Sequence, residues 1–122
     1  MTGRVLVVDD HAINLKLARI VLESAGLAVR VAADGASAAS ALAEFVPDVV
    51  LMDLQLPGDD GFALTRRFKA VCPGLRVVAF TAFAMPGDGD RAREAGCDGH
   101  VTKPIEPDAL LAAVAAHLPP TG

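Results

Sequence analysis

Four separated strand-like stretches, two of them wholly apolar, each end in a side chain suited to handling charge. Val5 to Val8 runs into Asp9-Asp10, and Val49 to Met52 runs into Asp53. Leu75 to Phe80 reaches Thr81, and Gly99 to Thr102 reaches Lys103. Short apolar runs between turn signals read as strands buried on both faces, as in a parallel sheet. A carboxylate is rarely buried without a partner, so Asp53 belongs at a strand's C-terminal edge, facing a crevice. In open α/β sheets that edge is where ligands bind.

If the four ends meet, their chemistry is specific. Clustered carboxylates repel; at about 5 Å and an effective dielectric near 20, each pair costs roughly 3 kcal/mol. A divalent cation offsets that cost, and hard oxygen donors with few protein contacts suit Mg²⁺. Lys103 supplies a point charge for an anion and Thr81 a hydroxyl donor. A cation, an ammonium, a donor and one carboxylate nucleophile are the parts of phosphoryl transfer to aspartate. Each residue also has a plainer reading. Asp9 or Asp10 caps the helix that follows, Asp53 and Thr81 are turn or cap residues, and Lys103 is a solvated surface lysine.

The remaining segments must position these ends. A helix is expected from about Ala12 to Ala25, with Gly26 as its stop. Ile13, Leu17, Ile20 and Val21 keep helical spacing, and Leu15 and Leu22 widen the apolar stripe beyond one buried face. Either the core groove there is broad or one flank is left for a partner helix. Ala28 to Ala32 reads as a half-exposed edge strand. Asp34-Gly35 opens an Ala-rich helix to about Phe45. Asp59 and Asp60 are candidate caps for a helix from Gly61 to Val71. Ala84 to Ala95 is a poor helix, with Pro86, Gly87 and Gly89 in its first half. Pro107 opens a last helix to His117. His11, beside Asp10, could approach a metal, although an exposed first-turn residue is the plainer reading; Asp34, Asp48 and Asp98 take plain structural readings, and Cys72 and Cys97 receive no catalytic role.

Five strands alternating with five helices imply a parallel sheet with right-handed crossovers. The weak second and fifth strands suit the edges. The expected fold is a flavodoxin-like (βα)5 three-layer sandwich with sheet order 2-1-3-4-5, whose switch point brings Asp9-Asp10 to Asp53.

The 122 residues, 52% of them hydrophobic, fit one globular domain. A formal net charge of -4 argues against nucleic-acid binding. No run has the length of a membrane span, and two cysteines make no disulfide framework, so a cytoplasmic setting without membrane contact is expected.

Together, V-L-V-V-D-D, P-D-V-V-L-M-D-L-Q-L-P-G-D-D-G, V-V-A-F-T-A and H-V-T-K-P-I resemble the receiver domain of two-component response regulators, the CheY-like family, over essentially the whole chain. The resemblance implies that Asp53 accepts a phosphoryl group from a phosphohistidine on a sensor histidine kinase or phosphotransfer protein. It implies that Asp10, Asp53 and the Gln55 backbone carbonyl coordinate Mg²⁺, with Asp9 acting through water. Thr81, the Ala82 N–H and Lys103 would hold the phosphoryl oxygens, and Lys103-Pro104 looks like the family's cis peptide. M-D-L-Q-L-P with T-A-F-A-M-P-G-D resembles the DivK-like single-domain regulators of cell-cycle phosphorelays, although the second motif also occurs in receivers of hybrid kinases. Residues 1–122 would then be one receiver without an output domain, monomeric or weakly dimeric, that autocatalyses only its own phosphorylation and dephosphorylation and signals to a downstream effector protein.

One position departs from the family. The switch couples the Thr81 position to an aromatic residue three places before the lysine, and His100 stands there. A tolerated edge-strand residue is the plain reading; an altered or pH-sensitive switch is the sharper one. A rival enzyme, a haloacid-dehalogenase-like phosphatase, needs an acid-base Asp where Gln55 stands. A flavodoxin would meet phosphate with Asp9-Asp10, which repel it. A phosphorylation-independent interaction module leaves the acid, Thr and Lys set without a purpose.

Overall fold

The computed structural model describes residues 2–56, 58, 60–82 and 88–119. Its elements alternate as β1 (Arg4–Val8), α1 (Ala12–Ser24), β2 (Ala28–Ala32), α2 (Gly35–Phe45), β3 (Val49–Met52), α3 (Gly61–Val71), β4 (Arg76–Thr81), α4 (Asp88–Ala95), β5 (Gly99–Thr102) and α5 (Pro107–Ala115). The strands form one parallel sheet in the order β2-β1-β3-β4-β5, the expected flavodoxin-like arrangement.

The apolar runs are continuous because each strand feeds two cores. Leu6, Val8, Val50, Met52, Val77 and Ala79 pack on one face with α2, α3 and Ala92 of α4. Val5, Val7, Val49, Leu51, Val78 and Phe80 pack on the other with α1 and α5. Side chains alternate in direction along a strand, so a strand buried on both faces carries no polar position. Fully burying each Val or Leu contributes about 1.5–3 kcal/mol of transfer free energy.

Local signals set the helix ends. Asp34 caps α2 by accepting from the Ser37 N–H at 2.8 Å, with the reciprocal Ser37 bond completing a capping box. Asp60 caps α3 by accepting from the Phe62 N–H at 2.9 Å; Asp59 lies outside the described residues. Gly26 follows α1 at φ 93°, a left-handed conformation that glycine adopts without steric cost. The weak helical stretch is described only in its second half. Its described part begins at Asp88, past Pro86 and Gly87, and residues 83–87 lie outside the description.

Two alternatives left open by the sequence are decided here. Of a broad core groove and an exposed flank on α1, the flank is what forms: Ile13, Leu17 and Ile20 are 61%, 42% and 53% exposed. The opposite side is buried, through Ala18 and Leu22, with Leu15 and Val21 partly covered. The helix carries two apolar faces, and the bulkier side chains point outward. Asp9 and Asp10 do not cap α1 either. His11 occupies the N-cap position and makes no side-chain capping bond, which leaves both carboxylates for other work.

Candidate functional site

The site is built by strand register. Val8 pairs with Met52, and the Asp53 N–H donates to the Val8 carbonyl at 2.9 Å, so the next residues, Asp9 and Asp53, stand side by side. The Asp9 N–H donates to the Ala32 carbonyl, extending the ladder past β1. Both carboxylates are buried, Asp9 completely. Asp10, one residue on, is partly exposed at the rim. Thr81 ends β4 at the same edge, also buried, and Ala82 follows it exposed.

Lys103 comes from the edge strand and reaches inward. Its Nζ lies 3.0 Å from Asp53 Oδ2 and 3.0 Å from Asp9 Oδ2, and 5.1 Å from the centroid of the Phe80 ring. The Lys103–Pro104 peptide that precedes the turn is cis. Burial pushes the Lys103 ammonium toward a lower pKa, but hydrogen bonds and charge from Asp9 and Asp53 outweigh it and hold the pKa above its ordinary value. Burial pushes the Asp9 carboxyl up; the His11 backbone N–H and Lys103 outweigh that and hold it below the usual value. Lys103 is therefore charged, and it is shared by two acids.

The loop after β3 fixes the other Asp53 oxygen. The Gln55 N–H donates to Asp53 Oδ1 at 2.9 Å, while the Gln55 residue itself is exposed. Gly61 lets α3 begin directly against this loop. A Cβ there would stand 2.5 Å from the Leu54 Cα and 2.6 Å from the Asp53 carbonyl oxygen, closer than packed atoms approach.

Three carboxylates thus face one ammonium, and the set is under-compensated. Among the described residues, Asp10 Oδ1 is the buried side-chain polar atom without a hydrogen-bond partner. Such an orphan is costly unless something else approaches it. Donor atoms from Asp9, Asp10, His11 and Asp53 lie within 4.8 Å of one another. A hard, oxygen-rich donor set with an unpartnered buried oxygen fits a divalent cation such as Mg²⁺. Asp10 and Asp53 would hold it, with Asp9 behind them.

The expected residues Asp9, Asp10, Asp53 and Lys103 come together. Thr81, Ala82 and Gln55 lie on the same edge. His100 sits mid-strand on β5, paired with Ala79 and exposed, two pairs before the Thr81–Thr102 pair rather than at the acid cluster. Two further side chains join the cluster: Asn14, which the sequence did not single out, and His11, for which approach to a metal was the lesser alternative. Asn14 donates from Nδ2 to Asp9 Oδ2 at 3.2 Å, and His11 places Nδ1 3.2 Å from both Asp9 Oδ1 and Asp10 Oδ1. The available signal was that both lie in the first turn after a strand-ending acid pair, where side chains fold back over the strand end.

The comparisons with known proteins agree with this geometry. Residues 5–115 match the response regulator receiver domain. The polar-differentiation response regulator DivK of Brucella abortus (strain 2308) is 35% identical over 120 residues, covering 97% of this chain and 98% of that protein. The Vibrio cholerae chemotaxis protein CheY4 superposes with a TM-score of 0.90 at 25% identity, covering 97% of this chain and all of that one. The BeF3-activated DrrB receiver domain superposes with a TM-score of 0.86 at 30% identity, covering 96% and 97% of the two chains. Among the described residues, no helix is long and apolar enough to cross a membrane. The chain belongs to the response regulator receiver domain family of two-component signalling proteins.

Proposed function

We propose that this receiver takes a phosphoryl group onto Asp53 from a phosphohistidine of a histidine kinase or phosphotransfer protein, and signals by phosphorylation-dependent binding to an effector protein. The observation that carries the reading is a buried acceptor, Asp53, with Lys103 at 3.0 Å and two further carboxylates beside it. The relative named for polar differentiation supports a place in a cell-cycle phosphorelay, and the neighbour activated by a beryllium fluoride supports an anion-bound active state.

In the transfer, an Asp53 carboxylate oxygen attacks phosphorus, an O–P bond forms, and the P–N bond to the donor imidazole breaks, returning its electron pair to nitrogen. Asp10, Asp53 and the Gln55 carbonyl would hold Mg²⁺, which when bound would supply charge neutralisation for the approaching oxygens. The Gln55 N–H fixes the rotation of the Asp53 carboxylate. Lys103 remains protonated beside Asp53 and offers its charge to the incoming group. The Thr81 hydroxyl and Ala82 N–H would receive phosphoryl oxygens, and movement of Thr81 would transmit the change toward β5 and α5. Self-catalysed gain and loss of the phosphoryl group is the chain's chemistry; it processes no separate metabolite.

The exposed stripe of Ile13, Leu17 and Ile20 begins directly after the acid pair. It suits an amphipathic helix of the donor, laid so that its histidine meets Asp53. The test uses a phosphohistidine donor carrying labelled phosphate. Label transfers to the chain in Mg²⁺ and stops when the cation is chelated. Leu17→Lys slows transfer from the protein donor at least about tenfold, while labelling from acetyl phosphate stays unchanged. Label transfer indifferent to chelation would contradict the reading.

A further inference from the structure

We infer that His11 is an additional ligand of the divalent-cation site, giving it an imidazole nitrogen and a preference for transition-metal ions over Mg²⁺ beyond that of an all-oxygen site. The inference rests on the cation-site reading above and adds a donor to it. His11 Nδ1 lies 3.2 Å from Asp9 Oδ1 and 3.2 Å from Asp10 Oδ1. Neighbouring donors around a six-coordinate ion with bonds of about 2.1 Å stand about 3.0 Å apart, so the His11–Asp10 separation fits adjacent ligand positions, with Asp9 behind them. That Asp10 oxygen is the same buried atom that lacks a hydrogen-bond partner, although an imidazole nitrogen stands beside it.

The backbone holds the ring there. His11 is the N-cap of α1 at φ -93° and ψ 114°, and its N–H donates to Asp9 Oδ1 at 2.8 Å. That bond folds the first turn over the end of β1. The ring is 61% exposed, yet it turns toward the acids, where Nδ1 makes a hydrogen-bond contact with Asp9 Oδ1 at 3.2 Å. Imidazole favours the later transition-metal ions, whereas carboxylate and carbonyl oxygens suit Mg²⁺. On binding, the cation would take the place of the Nδ1 proton in that contact: the neutral ring would bind through Nδ1 with its proton on Nε2, adding no charge to compete with the carboxylates.

Mn²⁺ and Mg²⁺ alone are the probes. Titration calorimetry gives the affinity of each for the wild-type chain, His11→Gln and Asp10→Asn. Pulsed electron paramagnetic resonance on the Mn²⁺ complex reads hyperfine coupling to a directly bound nitrogen. The expected result is imidazole ¹⁴N coupling in the wild type, lost in His11→Gln, with the Mn²⁺-over-Mg²⁺ preference falling about tenfold. Asp10→Asn weakens both ions. Binding of both ions without nitrogen coupling, and with an unchanged preference in His11→Gln, overturns the inference and leaves the cation site standing. Failure of the wild type to bind either ion overturns both.

Discussion

The two ends of the sheet each hold an acid surrounded by basic and amide groups, and they are built on opposite principles. At the N-terminal end, Asp98 accepts from Lys69 Nζ at 2.8 Å, from the Val77 N–H at 2.8 Å and from Arg76 Nη1 at 3.4 Å. Lys69 also donates to the Leu75 carbonyl at 3.0 Å. One carboxylate is shared among several donors, and its charge is matched. At the C-terminal end, Asp9 and Asp53 share Lys103, while the neighbouring Asp10 has no contact with it and keeps a buried oxygen without a hydrogen bond. The first arrangement ties β4, α3 and the approach to β5 together. The second leaves more negative charge than Lys103 offsets, an excess that a bound cation would relieve. The same residue types therefore serve stability at one end and, on the proposed function, chemistry at the other, and the balance of charge separates them.

Substitutions at the two ends should differ in kind. The largest effect belongs to the functional end. Lys103→Ala should lower the rate of phosphoryl gain on Asp53 by about a hundredfold, equivalent to about 2.7 kcal/mol, measured with acetyl phosphate at saturating Mg²⁺. Cation affinity in the same variant should rise, because the ammonium no longer competes for the carboxylates. Asp98→Asn should do the reverse. It should cost about 2 kcal/mol in urea unfolding, since charged hydrogen bonds are lost, and leave labelling of Asp53 intact. Equal loss of labelling in both variants would erase the contrast.

The structural end also has a pH signature. Burial pushes the Asp98 carboxyl up, but the Lys69 hydrogen bond, the Val77 N–H and the charges of Lys69 and Arg76 outweigh it and hold it below 3.8. A carboxyl lowered in the folded state contributes stability that is present above its unfolded value and lost as pH falls through its folded value. Wild-type stability should therefore drop below about pH 4 more steeply than that of Asp98→Asn. The smallest effect has the opposite sign. Asp10→Asn should stabilise the metal-free chain by about 1 kcal/mol by removing repulsion, and should abolish stabilisation by added Mg²⁺. Destabilisation by Asp10→Asn in a chelator would show that the acids are not in conflict.

The strands and their edge acids were legible because they depend on short-range signals. Val5 to Val8 and Val49 to Met52 are uninterrupted apolar runs, and each stops at an aspartate. Given the βα alternation, few topologies remain, and the register carries Asp9 to Asp53. What escaped was set by distant or competing contacts. Ile13, Leu17 and Ile20 outweigh Ala18 and Leu22 in hydrophobicity, so the apolar stripe alone left a broad core groove and an exposed flank as alternatives, and the burial of Ala18 and Leu22 decides for the exposed flank. Asp98 read as a turn residue because its partners lie 29 and 22 positions away. Asn14 joins the site, and His11 turns toward it rather than to solvent, because the first turn of α1 folds back, a detail of backbone geometry that residue types alone do not encode.

Site mapping of the phosphoryl group tests the central claim most directly. The wild-type chain and Asp53→Asn are treated with acetyl phosphate and Mg²⁺, and the acyl phosphate is trapped and located by mass spectrometry. Modification of the wild type at Asp53, with none in a folded Asp53→Asn, is the expected result; a modified Asp53→Asn, or a wild type carrying the group on another residue, would contradict it.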